Sequence, residues 1–147
     1  MDLAGNASKI NDIIYANTDF NKYATFFYGI LDTTRHTLRF TNAGHNPPVV
    51  LRSTGELETL DAGGLPVGLM PGSSYESDEV AIGPGDLIVF YTDGVSEAEN
   101  EQGEQFGEER LEQVARENAD RPAAELLTAI VDAVVVWTGE RGPSDDL

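Results

Sequence analysis

Two places in the 147-residue sequence set carboxylates where they could hold a cation. In Phe90-Tyr91-Thr92-Asp93-Gly94, the aspartate ends an apolar run and precedes a glycine that lets the backbone turn away sharply. Read alone, such an Asp-Gly pair is more often a turn than a ligand. In Gly142-Pro143-Ser144-Asp145-Asp146-Leu147, two neighbouring carboxylates follow a turn at the start of an expected strand. Adjacent like charges are costly unless water or a cation lies between them. The chain has no cysteine and no histidine cluster, so these oxygen donors suit hard ions, Mg²⁺ or Mn²⁺, better than Zn²⁺ or copper. The candidate metal ligands are therefore Asp93 and Asp145, with Asp146 beside them; sequence distance does not show that they meet.

Composition narrows the class. Nine Lys and Arg stand against 26 Asp and Glu, a net charge of −17. A polyanion of this strength repels phosphate backbones and anionic lipid heads, which argues against nucleic-acid and membrane-surface partners but not against a phosphorylated protein. The length suits one domain over residues 1–147, and 40% hydrophobic residues suit a soluble core. Without cysteine there is no sign of an oxidising compartment. The longest apolar runs, 87–91 and 133–137, fall far short of the roughly 18 residues that span a bilayer. The first six residues have neither a basic start nor an apolar stretch of the secretory kind, and a cytoplasmic location is expected.

The elements that must position the acids can be read from periodicity. Ile10, Ile13 and Ile14 give residues 7–16 an amphipathic helical pattern. Residues 23–31 are aromatic and β-branched on both alternating sets, as in a central strand covered on both faces. A polar turn at 32–36 leads into a half-buried partner strand through Leu38 and Phe40. Pro47 and Pro48 interrupt pairing, and strands resume at 49–52 and 56–60. The Gly- and Pro-rich stretch 61–74 is expected as a long irregular surface connection. Strands follow at 75–82 and 87–92, the second buried. Ten acidic and three basic residues between Glu97 and Glu125 overlap a helical pattern through Leu111, Val114 and Ala115, best read as a solvated helix face. A last helix, with Asp120 as N-cap, runs through Leu126, Ile130, Val131, Val134 and Trp137. The order of elements implies an α+β fold.

Two other features invite chemistry. His45 lies in a Gly-Asn-Pro loop and could serve as an acid or phosphate contact, but no neighbouring Asp or Cys completes a triad, so it reads as a loop histidine bonded to backbone. His36 reads as a solvated turn residue. The loop 63–72 lacks the Gly-Lys-Ser/Thr ending and the following helix of a nucleotide cradle. The expected site holds no catalytic side chain and no organic cofactor.

The segments TFFYGILD, LRFTNAGHNPPVVL, GLPVGL, DLIVFYTDGVSEAEN, FGEERL and PSDDL, in this order, resemble the bacterial metal-dependent serine/threonine phosphatases of the protein phosphatase 2C-like class. The sporulation and stress-response branch is the nearer match, with NAGHNPP (42–48) and YTDGVSEA (91–98) as its most specific pieces. The resemblance implies an α-β-β-α sandwich of two antiparallel sheets flanked by helices, with two Mn²⁺ or Mg²⁺ ions at one end. It implies that Asp93 and Asp145 are ligands and that Asp146 is a weaker one. Hydrolysis would proceed through water activated by the ions, with no phospho-enzyme. The implied substrate is phosphoserine or phosphothreonine on a regulatory protein, such as an anti-sigma-factor antagonist.

The sequence also departs from that pattern. Family members open with a strand ending in an Asp-x-x-Gly element that bridges the ions, and they continue into a last core strand; no such opening strand is expected ahead of Ile10, and the residues given stop at Leu147, where that last strand would follow. The chain by itself is therefore expected to hold metal weakly and to be weakly active or inert. The competing reading is a noncatalytic phosphatase-like interaction module.

Overall fold

The computed structural model describes residues 1–19 and 22–141. In chain order the elements are α1 (Leu3–Asn17), β1 (Phe26–Asp32), β2 (Thr37–Ala43), β3 (Val49–Leu51), β4 (Leu57–Thr59), β5 (Gly63–Gly64), β6 (Asp78–Ala81), β7 (Leu87–Val89), α2 (Asp93–Ser96), α3 (Gly107–Glu117) and α4 (Ala123–Thr138), followed by a 3-10 turn at Gly139–Arg141. The fold is α+β, with two sheets and flanking helices, as expected. Its contacts separate two units: Met1–Pro47 with Thr59–Asp86, and Pro48–Glu58 with the segment from Leu87 onward. No helix of the described residues is long and apolar enough to cross a membrane.

In the first unit, Asp2 caps α1 by accepting the Gly5 amide at 2.9 Å, so the helix starts four residues before the apolar pattern does. The pattern found the inner face only in part. Ile14 is half-buried against the Ala7–Ala43–Val67–Tyr75 cluster, but Ile10 and Ile13 are exposed, and the buried stripe is Leu3, Ala7 and Asn11, spaced by four. Asn11 is tolerated there because its amide is satisfied. Its Oδ1 accepts the Gly68 N–H at 2.9 Å and the Tyr75 hydroxyl at 3.4 Å, and its Nδ2 donates to the Met70 carbonyl at 3.0 Å. The helix thereby holds the loop 67–75. Asn11→Ala is expected to cost about 1–3 kcal/mol, because it strands the buried Gly68 donor, and urea denaturation checks this.

The hairpin forms as its turn residues require. Asp32 accepts the Thr34 and Arg35 amides, both at 2.9 Å, which holds its carboxyl below the ordinary carboxylate range, and His36 takes a left-handed φ of 55°. Its side chain is exposed, as expected. The central strand, however, is β2 and not β1. One edge of β2 carries β1, from Phe26↔Ala43 to Asp32↔Thr37, and β6 and a short parallel β5 also pair with it. Among the described residues β1 pairs on one side only. Its residues are half-buried or exposed, and its aromatic content reflects contacts within the pair, such as Phe27 stacked on Phe40 at 5.4 Å, and not cover on both faces.

The stretch 61–74 is not wholly irregular or superficial. Gly63 and Gly64 pair with Asn42 and Ala43, and Val67 is 1% exposed and bridged to Ala24. Glycine at 63 permits this approach, since a Cβ there would lie 1.7 Å from the Asn42 carbonyl oxygen. One sheet is therefore mixed, where two antiparallel sheets were expected.

The second unit carries the sheet β4-β3-β7. Leu126, Ile130 and Val134 form the expected inner stripe of α4, each contributing about 1.5–3 kcal/mol by burial. Pro122, not Asp120, caps that helix, its carbonyl accepting the Glu125 and Leu126 amides at 2.9 and 3.1 Å. Trp137 packs edge-on to the buried Phe106 ring, with centroids 6.3 Å apart, and donates its indole N–H to the Glu104 carbonyl at 3.1 Å.

Candidate metal site at the Asp93 element

The approach to Asp93 is set by where β7 ends. Val49 pairs antiparallel with Val89, so continuing the register places Pro48 opposite Phe90. Proline has no N–H to give, and the ladder stops there. The expected strand 87–92 is thus cut to Leu87–Val89, and Phe90 is 55% exposed. Tyr91 turns inward, 6% exposed, and its hydroxyl donates to Glu108 Oε1 at 2.9 Å. Burial, with the Glu108 and Glu112 carboxylates nearby, pushes its phenol well above the ordinary value, so it remains a hydrogen-bond donor.

Asp93 therefore sits not at a strand end but at the opening of the single-turn helix α2, after the N-cap Thr92. Its carbonyl accepts the Glu97 amide at 2.7 Å, and Thr92 accepts Val95 at 3.1 Å. Gly94, Val95 and Ser96 are buried and anchor the turn, while the Asp93 side chain is exposed. Among the described residues that carboxylate takes no hydrogen bond and no ion pair. It is a hard, anionic oxygen donor on an anchored backbone, which is the donor chemistry that Mg²⁺ or Mn²⁺ requires.

Asp145 and Asp146 lie outside the described residues, so the expected convergence is not addressed by the geometry. Among the described residues no group of three or more His, Asp or Glu side chains is close enough to hold a metal ion. Asp93 is the one donor of the expected set within them.

The NAGHNPP motif has a structural role that its sequence did not disclose. Asn42, 4% exposed, accepts the His45 amide at 2.8 Å and donates to the His45 carbonyl at 2.9 Å and the Leu60 carbonyl at 3.5 Å. Gly44 completes the turn at φ 70°, where a Cβ would meet Pro66 at 2.5 Å. His45 is half-buried; where its ring was expected to bond to backbone, its own backbone is held by the Asn42 side chain and its Nδ1 lies 3.5 Å from the Thr25 hydroxyl. The available signal was an Asn two residues before a turn glycine. Sequence reasoning also missed Tyr91 and Glu108, since their contact spans 17 positions and follows no local period.

Comparison with known proteins places these features. All of residues 1–147 match the family described as Stage II sporulation protein E (SpoIIE). The chain is 40% identical over 93 residues to Protein IcfG of Synechocystis sp., covering 63% of this chain and 15% of that protein. It is 27% identical over 128 residues to phosphoserine phosphatase RsbU of Bacillus subtilis, covering 86% of this chain and 38% of RsbU. The SiaA-PP2C domain of Pseudomonas aeruginosa superposes with a TM-score of 0.83 at 23% identity, over 99% of this chain and 58% of that one. The chain spans well under half the length of these two relatives. It belongs to the SpoIIE family, in the sporulation and stress-response branch of the bacterial PP2C-like phosphatases.

Proposed function

We propose that residues 1–147 form the larger part of one phosphatase domain that removes phosphate from phosphoserine or phosphothreonine on a regulatory protein, such as an anti-sigma-factor antagonist. The observation that carries this reading is Asp93: an exposed carboxylate with no partner among the described residues, mounted on a buried turn, in a chain whose family is metal-dependent. Asp93, Asp145 and Asp146 would hold Mn²⁺ or Mg²⁺. When bound, such ions act as Lewis acids that make water nucleophilic near neutral pH and neutralise phosphoryl charge. The chain's own part is to present the carboxylate and keep it in place: the buried Gly94–Ser96 turn fixes its backbone, and the Glu97 amide bond fixes its carbonyl. A chain of net charge −17 would otherwise repel a dianionic phosphoryl group, so cations at the acid groups also reconcile charge with substrate.

The test is hydrolysis of a phosphoserine peptide by the full-length protein and by residues 1–147, with Mn²⁺ and after chelation by EDTA. Turnover by the full-length protein that EDTA abolishes and Mn²⁺ restores is expected, with little from residues 1–147, in which no strand ending in an Asp-x-x-Gly element precedes Ile10. Turnover indifferent to EDTA would overturn the reading. No turnover from the full-length protein would leave the noncatalytic module.

A further inference from the structure

An open groove of about 400 Å³ lies where the C-terminal end of α4 meets the turn 100–102. Ala133, Val136 and Trp137 line it from the helix, and Glu101 and Gln102 from the turn. The turn is well held. Asn100, 8% exposed, accepts the Gln102 and Glu104 amides at 3.0 and 2.9 Å, and its own amide donates to the Glu104 carboxylate at 2.9 Å. The helix side is apolar and open. Val136 is 81% exposed, and the indole N–H of Trp137 is taken by the Glu104 carbonyl, so the ring has only apolar surface left for a ligand. One cation already lies on that ring, the Arg110 guanidinium at 3.9 Å, which also donates to the Gln105 and Phe106 carbonyls.

Charge decides what such a groove takes. Glu101 is exposed, and among the described residues its carboxylate takes no hydrogen bond and no ion pair. Its Oε1 lies 3.7 Å from where a Cβ at Gly139 would stand, beside the C-terminal end of α4, and the last turn of that helix holds no basic residue. A carboxylate at the negative end of the backbone dipoles is repelled until a cation joins it. Residues 142–147 contain two carboxylates and no Lys or Arg, and a second copy brings another net charge of −17, so neither supplies that cation readily. We propose that the groove docks a basic-apolar segment of a partner protein, with an apolar side chain on Val136 and Trp137 and an adjoining Lys or Arg on Glu101. The volume is at the small end for ligand clefts and suits one or two peptide side chains, while the charge of the whole chain draws a basic segment in. Such docking is independent of any metal at Asp93.

Fluorescence anisotropy on the full-length protein measures binding of a labelled short peptide of alternating Lys and Leu, beside peptides in which Glu replaces Lys or Ser replaces Leu. The Lys-Leu peptide is expected to bind, and either replacement to weaken it at least about 10-fold. Val136→Lys is expected to weaken it about 10-fold and Glu101→Gln about 3-fold, while Glu125→Gln, the same charge change in the first turn of α4, leaves it within about 1.5-fold. All three variants are expected to melt with the wild type, since each changes an exposed side chain. Equal losses from Glu101→Gln and Glu125→Gln would mean diffuse attraction to a polyanion, and equal binding of the Lys-Ser peptide would mean that the apolar side plays no part; either result overturns the proposal. So does a wild-type protein that binds no Lys-Leu peptide, or one that sediments as a dimer split by Val136→Lys, since a second copy then fills the groove.

Discussion

Asp93→Ala is expected to lower Mn²⁺-dependent hydrolysis of a phosphoserine peptide by at least about 100-fold, more than is usual for loss of an outer-shell partner. The same substitution should leave stability almost untouched, within about 0.5 kcal/mol, because the side chain is exposed and, among the described residues, takes no hydrogen bond and no ion pair. A small loss is expected from removing an acid at the first position of a helix, where it faces the positive end of the backbone dipoles. The contrast is diagnostic. A carboxylate that served only the turn would show its effect in the melt and not in the rate; a ligand shows the reverse. Steady-state kinetics across a Mn²⁺ series, beside a circular-dichroism melt, separates the two.

Gly63→Ala is expected to destabilise the first unit by about 3 kcal/mol or more. A Cβ at this position would lie 1.7 Å from the oxygen, 2.5 Å from the carbonyl carbon and 2.6 Å from the nitrogen of Asn42, all backbone atoms that no rotamer change can clear. The strand would have to move away from β2, breaking the Asn42 N–H bond to Ala62 at 2.8 Å and loosening the Asn42 amide that closes the turn at His45. Gly83→Ala is the control. Its nearest neighbour would be the Asp86 carboxylate at 3.5 Å, an ordinary contact, and a change within about 0.5 kcal/mol is expected. Urea midpoints at constant slope measure both.

What could be read from the sequence was whatever is encoded locally. The turn at 32–36 follows from Asp32 and its polar neighbours, whose amides its carboxylate accepts. The inner stripe of α4 follows from the spacing of Leu126, Ile130 and Val134. Asp93 was picked out by its glycine and the preceding apolar run, and the motif pattern placed the chain in its family before any coordinates. What escaped depends on partners distant in the chain. Asn11 carries no apolar signature, and its burial makes sense only once Gly68, Met70 and Tyr75 are brought to it. The end of β7 is set by Pro48, some forty positions earlier, and so the Leu87–Tyr91 run promised a longer strand than its partner can pair. β1 has the composition of a central strand because composition records how apolar a strand is, not how many neighbours it has. The pairing of Gly63 with β2 is invisible to propensity, since glycine and proline read as breakers wherever they stand.

The most direct measurement is anomalous scattering from crystals of the full-length protein grown with Mn²⁺. A peak about 2.0–2.2 Å from a carboxylate oxygen of Asp93, with an Asp145 oxygen ligating the same ion or one about 4 Å from it, is the predicted result. Mn²⁺ bound elsewhere, or Asp93 and Asp145 directed into separate regions with no ion between them, would contradict it.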